Sequence, residues 1–435
     1  MSFLGRYFKI TQSGSTVKKE VTAGLTTFFT MSYIIIVNPK ILEAAGIPFG
    51  PSMVATIVSA FFGTLAMGVY AKRPFAIAPY MGENVFIAFT VVKLLGYTWQ
   101  QALGAIFVSG VLFTLLTIFG VRKWLAKAIP TSLKISFAVG IGLFLTFIGL
   151  NETGIIQLGN PGAPVQLGDV TQPGVYLALA GIVLIGVLMI RKVPGAILIS
   201  IAVITIIAIF MGEVSLPKEI ISRPPDIRSV AFKMDLKGIW HWGFFPIILT
   251  VLVMDFVDTM GTLLGVSLKA GFLDKDGNLP EIEKPMLCDS LSTIFGALMG
   301  TTTTGTFIES ATGIQAGGRT GLTSVVTSVL FLLALFFSNL FAIVPAFAYG
   351  PALIIVGMLL FEPVTKLNFS DLSDVIPSFV VIVLMSFTYN LGIGMTAGFI
   401  IYPIIKLLAG KAREVSIGIW VLAVVSILFY IFYPY

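Results

Sequence analysis

Arg73-Pro-Phe-Ala-Ile-Ala-Pro-Tyr-Met-Gly-Glu-Asn84-Val-Phe and Gly300-Thr-Thr-Thr-Thr-Gly-Thr-Phe-Ile-Glu309-Ser-Ala-Thr-Gly decide how this chain folds. Both lie inside apolar segments, at 74–95 and 301–317. The first places two prolines and a glycine where a helix would already be established. Proline removes a backbone N–H and its ring clashes with the preceding turn. The second carries four consecutive threonines, which favour extended backbone, and then Gly305. Each stretch therefore reads as a short extended piece feeding a half-helix. Such backbone leaves N–H and C=O groups unpaired, which a membrane tolerates only where protein buries them or they line a cavity. Half-helix N-termini also present free N–H groups and a partial positive charge. Two inverted copies would aim these ends at one midplane site.

The surroundings require a membrane. The chain has 435 residues, of which 57% are hydrophobic and 11% charged, with a mean hydropathy of +0.99. A soluble domain carries about 25% charged residues, so most of this surface must face lipid. Apolar segments fall at 21–38, 52–70, 74–95, 99–120, 130–150, 173–190 and 194–212, then at 244–268, 286–300, 301–317, 320–342, 346–361, 375–389 and 391–409. That is seven spans and seven spans, separated by a polar stretch at 213–242. Lys18 and Lys19 precede the first span. The remaining clusters follow even-numbered spans: Lys72 and Arg73; Arg122, Lys123 and Lys127; Arg191 and Lys192; Lys269, Lys275 and Lys284; Arg319; Lys366; and Lys406, Lys411 and Arg413. Basic loops stay in the cytoplasm, which places the N-terminus there for a count of fourteen. The outer 213–242 stretch, with five Lys/Arg, runs against the trend. A last apolar stretch, 415–433, is long enough to span or to pack at the interface. The net charge of +6 is accounted for by orientation and does not indicate nucleic acid.

The expected fold is an all-α polytopic membrane protein of fourteen transmembrane spans, with spans three and ten discontinuous. Its units are a cytoplasmic 1–20, a first repeat 21–212, an extracytoplasmic loop 213–242, a second repeat 243–410 and a C-terminal segment 411–435. Ser59-Ala-Phe-Phe-Gly-Thr-Leu-Ala-Met-Gly68 recurs as Ser292-Thr-Ile-Phe-Gly-Ala-Leu-Met-Gly300. Seven spans separate the copies, so they run oppositely across the bilayer. That is the inverted repeat of many secondary transporters. The chain has one cysteine, Cys288, and one histidine, His241, so no disulfide framework and no His/Cys zinc site can form within it. Cys288 reads as a packed thiol and His241, between two tryptophans, as interfacial.

Acids inside spans mark the chemistry. A carboxylate at the bilayer centre costs roughly 2.5–3.5 kcal/mol on insertion scales, of which a half-helix N-terminus returns about 0.3–1 kcal/mol. Glu309 sits just past the tenth-span break, either capping the half-helix or accepting from ligand N–H groups. Asp255 and Asp258, spaced i, i+3, share one side of the eighth span, with Thr262 a turn beyond. Two acids so placed in a low dielectric are candidates to exchange a proton, while a metal pair or acids satisfied by nearby donors remain alternatives. Glu83 and Asn84 are the third-span counterparts of Glu309. An asparagine offers both donor and acceptor, which suits the edge of a base, or it caps the half-helix. Glu83 has a vestibule as its other option.

Three stretches resemble the nucleobase:cation symporter-2 superfamily, specifically its AzgA-like purine permeases: Ala23-Gly-Leu-Thr-Thr-Phe-Phe-Thr-Met-Ser-Tyr-Ile-Ile-Ile-Val-Asn-Pro39, Asp255-Phe-Val-Asp-Thr-Met-Gly-Thr-Leu-Leu264, and Gly305-Thr-Phe-Ile-Glu-Ser-Ala-Thr-Gly-Ile314. The resemblance implies a core domain of spans 1–4 and 8–11, a gate domain of spans 5–7 and 12–14, and alternating access driven by proton symport. It implies substrate contacts from Asp258, Glu309 and Asn84, with backbone amides around Tyr80 and Ile308. Thr262 joins the binding set from its place on the acid face. Asp258, Asp255 and Glu83 are the proton-coupling candidates. The family pattern Gly-Met-Gly-Leu-Asn reads Tyr80-Met-Gly-Glu-Asn84 here, which narrows the site and adds a charge. The expected partners are a purine base (adenine, guanine or hypoxanthine), a proton or sodium ion and the cell-membrane bilayer. No cofactor is expected, and a homodimer stays open. Transport of another polar solute or an anion on the same fold is the alternative, although anions would favour Arg or Lys. An intramembrane metal-dependent enzyme lacks further acidic partners and a nucleophile–base pair.

Overall fold

The computed structural model describes residues 3–120, 128–159, 165–217, 219–240, 242–274 and 279–432. Arg122, Lys123, Lys127, Lys275 and His241 lie outside them. Among the described residues, nine helices are long and apolar enough to cross a membrane, and three shorter apolar helices accompany them. The chain runs α1 (Val17–Met31), α2 (Ile34–Ala44), α3 (Phe49–Ala66), strand β1 (Ile77–Pro79), α4 (Met81–Val85), α5 (Trp99–Ile118) and α6 (Thr131–Glu152). A small hairpin, β2 (Ile156–Leu158) with β3 (Val165–Leu167), leads to α7 (Pro173–Ile190) and α8 (Ala196–Phe210). Then come α9 (Phe245–Ala270), α10 (Glu283–Met299), strand β4 (Thr304–Thr306), α11 (Ser310–Gln315), α12 (Gly321–Ala334), α13 (Ala346–Phe361), α14 (Leu372–Phe387), α15 (Leu391–Leu408) and α16 (Ile417–Phe432).

The 21–38 stretch is longer than its apolar core suggests. Thr16 accepts from the Lys19 N–H and caps α1, so Lys18, Lys19 and Glu20 form its polar first turn. The chain then turns at Ser32–Tyr33 and continues as α2 to Ala44. The half-helix after β1 also departs from regular geometry: α4 continues as a π-helix over Phe86–Leu94, a rare form that is frequent at functional sites.

Small residues let the helices approach closely, as membrane interfaces require. A Cβ at Gly142 would lie 2.5 Å from the Gly357 carbonyl oxygen, which packs α6 on α13. Gly68 and Gly321 meet in the same way, backbone to backbone. Phe62 and Phe295, which occupy matching positions in the two sequence copies, stack with centroids 4.3 Å apart at 22°. The polar 213–242 stretch is laid across helix ends. The Phe232 N–H donates to the Leu298 carbonyl at 2.7 Å and the Asp235 N–H to the Gln100 carbonyl at 2.9 Å. Helix α16 runs back along α15: Ser416 bonds Ala128 near its start, and the Tyr430 hydroxyl reaches the Ile393 carbonyl at 3.0 Å near its end.

Candidate functional site

The two irregular stretches meet at the centre of the chain. Strands β1 and β4 pair antiparallel, with Ala78 opposite Gly305. The Tyr80 N–H donates to the Thr303 carbonyl at 3.0 Å, and the Phe307 N–H to the Ala76 carbonyl at 2.9 Å. Threonines from the second helix of each half satisfy the rest. Thr64 donates to the Ile77 carbonyl and accepts from the Ile77 N–H, both at 2.9 Å. Thr293 does the same for Thr304, at 3.0 and 3.1 Å. The buried Asp289 accepts from the Thr306 N–H at 3.3 Å and its hydroxyl at 3.1 Å. Extended backbone is thus hydrogen-bonded at these positions inside protein, the condition under which a bilayer admits it.

Around this ladder the candidate residues fall into three groups. In the first, the Thr262 hydroxyl donates to the Asp258 backbone carbonyl at 2.7 Å, so the Tyr80 hydroxyl, 3.2 Å from Thr262 Oγ1, is the donor of that pair. The Tyr80 ring lies parallel to Phe307, 6° between planes and 6.4 Å between centroids. Asp258 and Thr262 are half-buried, and Asp258 Oδ2 approaches Gly82, 3.9 Å from where a Cβ would stand. Glu83 is fully buried, and neither of its carboxylate oxygens has a hydrogen-bond partner. Asp255 is also fully buried, with the Thr293 hydroxyl 3.4 Å and the Thr259 hydroxyl 3.5 Å away.

In the second group, Glu309 stands at the N-cap position of α11 without a side-chain cap bond, so capping is not what holds it there. Instead the buried Tyr33 hydroxyl donates to its Oε1 at 2.7 Å. The Ile308 side chain beside it is exposed. In the third, Asn84 lies inside α4 and makes no cap; its Nδ2 donates to Asn38 Oδ1 at 2.7 Å. No described hydrogen bond joins Glu309 or Asn84 directly to Asp258. Phe307, Tyr33 and Asn38 carry no role in the sequence reading. The signal was an asparagine and a tyrosine within an otherwise apolar 33–38. Among the described residues no cluster of three or more His, Cys, Asp or Glu is placed to hold a metal ion. Cys288 is buried.

Apolar helices around a polar centre built on broken backbone define a multi-pass membrane protein of the transporter class. A family model described as "Permease family", that of the xanthine/uracil permeases, matches residues 18–401, and the chain belongs to this nucleobase permease family. It is 42% identical to the adenine permease AdeQ of Escherichia coli over 97% of this chain and 94% of that one. It is 41% identical to the guanine/hypoxanthine permease PbuO of Bacillus subtilis over 94% and 96%. A putative permease of Methanocaldococcus jannaschii is 44% identical over 99% of both chains. Among solved structures, the transmembrane domain of the cyanobacterial bicarbonate transporter BicA shares the fold at a TM-score of 0.66 and 15% identity, covering 88% of this chain and 97% of that one.

Proposed function

We propose that the chain imports a purine base across the cell membrane by proton-coupled alternating access. The single observation that carries this reading is the β1–β4 ladder with Tyr80, Thr262, Asp258 and Phe307 gathered on it. A flat heterocycle needs an aromatic face and a set of hydrogen-bond acceptors for its ring N–H groups, and this site offers both. Asp258 and Glu309 supply the acceptors. Asn84, Thr262 and the backbone amides just beyond Tyr80 and Ile308 complete the binding set, the Tyr80 N–H itself being given to the Thr303 carbonyl. Asp258, Asp255 and the fully buried Glu83, whose two carboxylate oxygens have no hydrogen-bond partner, are the candidates to carry the coupled proton.

On this reading the polypeptide crosses the bilayer fourteen times in two inverted repeats of seven, with the N-terminus cytoplasmic. Spans 1–4 and 8–11 form the core and spans 5–7 and 12–14 the gate. Close packing of α6 on α13 within the gate, and of α1 and α3 on α12 within the core, supports the division. The second reading is transport of another small polar solute or an anion on the same fold. The acids at the centre oppose an anion, since an anion site would present Arg or Lys.

The test is uptake of labelled hypoxanthine and adenine in proteoliposomes. Glu309→Gln is expected to abolish uptake while the protein stays folded, because an amide cannot replace a two-oxygen acceptor. Asp258→Asn is expected to lose the dependence on a proton gradient. Normal uptake by Glu309→Gln would remove that residue from the site, and an unchanged pH dependence in Asp258→Asn would assign the proton to another acid.

A further inference from the structure

Asn38 stands immediately before Pro39 in α2, fully buried, and no function described above uses it. We infer that Asn38 fixes the amide of Asn84 so that its carbonyl oxygen is the group offered to the ligand. It is thereby a specificity-determining positioning residue. The inference rests on Asn84 belonging to the binding set.

The argument starts at a helix carbonyl. The Thr56 hydroxyl donates to the Ser52 carbonyl at 2.8 Å, which spends its only proton. Thr56 Oγ1 must therefore accept from its other neighbour, the Asn38 side chain, at 2.7 Å. That neighbour has to be Nδ2, and the same Nδ2 reaches Thr301 Oγ1 at 2.9 Å. The Asn38 carbonyl is then turned to Asn84, which must donate to it through Nδ2 at 2.7 Å. Amide orientations are assigned from such networks, and here the reverse assignment fails. It would turn the Thr56 proton to Asn38 and leave Thr56 Oγ1 and the Ser52 oxygen 2.8 Å apart with no hydrogen between them. The relay ends on Asn84 Oδ1, which is buried and has no hydrogen-bond partner. A buried acceptor left unpaired costs about 1–3 kcal/mol, and a ligand N–H would relieve it. Without Asn38 the amide could turn and offer its NH2 instead, which would suit a ligand acceptor.

The relay therefore predicts that one ring N–H of the base is read by Asn84 and that Asn38 enforces the reading. The experiment is competition of labelled hypoxanthine uptake by hypoxanthine and its 1-, 3-, 7- and 9-methyl derivatives, in proteoliposomes of the full chain. Methyl groups at N1, N7 and N9 each block a position that carries an N–H in one tautomer of hypoxanthine, the 3-methyl group masks a ring acceptor and serves as the control, and each penalty is the ratio of inhibition constants. In Asn84→Ala the penalty at one position is expected to fall at least tenfold. In Asn38→Ala the penalty at that same position is expected to fall to within threefold of the Asn84→Ala value, with the other positions unchanged. A wild-type penalty retained in Asn38→Ala would overturn the inference, as would an equal fall at every position, the mark of a merely loosened structure. An Asn84→Ala variant with no position-specific fall would also overturn it, leaving purine transport intact. If no purine competes with the wild type, the proposed function fails instead. Should Asn38→Ala not reach the membrane, Thr56→Val with Thr301→Val removes both orienting acceptors without touching either asparagine and carries the same expectation.

Discussion

Adding one methyl group at residue 305 tests whether the Tyr80 ring shapes the site. A Cβ there would stand 2.3 Å from Cε2, Cζ and Oη of Tyr80. Non-bonded carbons settle at about 3.5–4.0 Å, so the ring or the strand must move by about 1 Å. The strand is held on both sides, by the ladder to β1 and by Thr293 and Asp289, and the ring yields. It then gives up its bond to Thr262, worth about 0.5–1.5 kcal/mol. It also loses its alignment with Phe307, about 0.5–1.5 kcal/mol for an aromatic pair. Carried into ligand binding, about 1–3 kcal/mol is roughly 5- to 150-fold. Gly305→Ala is therefore expected to raise the KM for purine uptake by that factor, measured as initial rates in proteoliposomes of matched protein content. In a Tyr80→Gly background, where no ring is present to be struck, the same alanine is expected to cost less than about threefold, because the two effects share one cause. A Gly305→Ala KM within twofold of wild type, or an equal penalty in both backgrounds, would refute the reasoning.

Tyr33→Phe removes the described bond to Glu309. A hydrogen bond to a charged group contributes about 1.5–3 kcal/mol, so the KM is expected to rise about tenfold or more with little change in kcat; initial-rate kinetics check this. At the start of α14, the Lys411 ammonium, 2.6 Å away, and the Ser373 hydroxyl hold the Asp371 carboxyl well below the usual carboxylate range. A lowered folded-state pKa gives stability that is present above the unfolded value and lost as pH falls through the folded one. Lys411→Met is therefore expected to lower Tm in detergent at neutral pH, with the gap to wild type closing as pH drops below about 4; a gap independent of pH would show that Asp371 is not its source.

The elements were legible because apolar length and proline placement are local signals. Pro74, Pro79 and the Thr301–Thr304 run marked both irregular stretches, and the structure has β1 and β4 there. What the sequence did not disclose is that the two strands pair with each other, a contact between residues 227 positions apart at Ala78 and Gly305. The braces were hidden for the same reason. Tyr33 reaches Glu309 across 276 positions, and Asn38 reaches Asn84 across 46. Periodicity reports which face of a helix is apolar but not which partner a buried hydroxyl or amide will find. Phe307 was read only as part of a backbone break, since ring orientation depends on the strand register. Asp289 gives no signal in the sequence because it accepts from a main-chain N–H and a threonine hydroxyl, neither of which leaves a charge pattern.

Competition for labelled hypoxanthine uptake in proteoliposomes, run with adenine, guanine, uracil, bicarbonate and sulfate, bears most directly on the central claim. An aromatic slot bordered by carboxylates predicts that the purines compete while the inorganic anions leave uptake unchanged. Uptake indifferent to every purine, or blocked by bicarbonate, would contradict it.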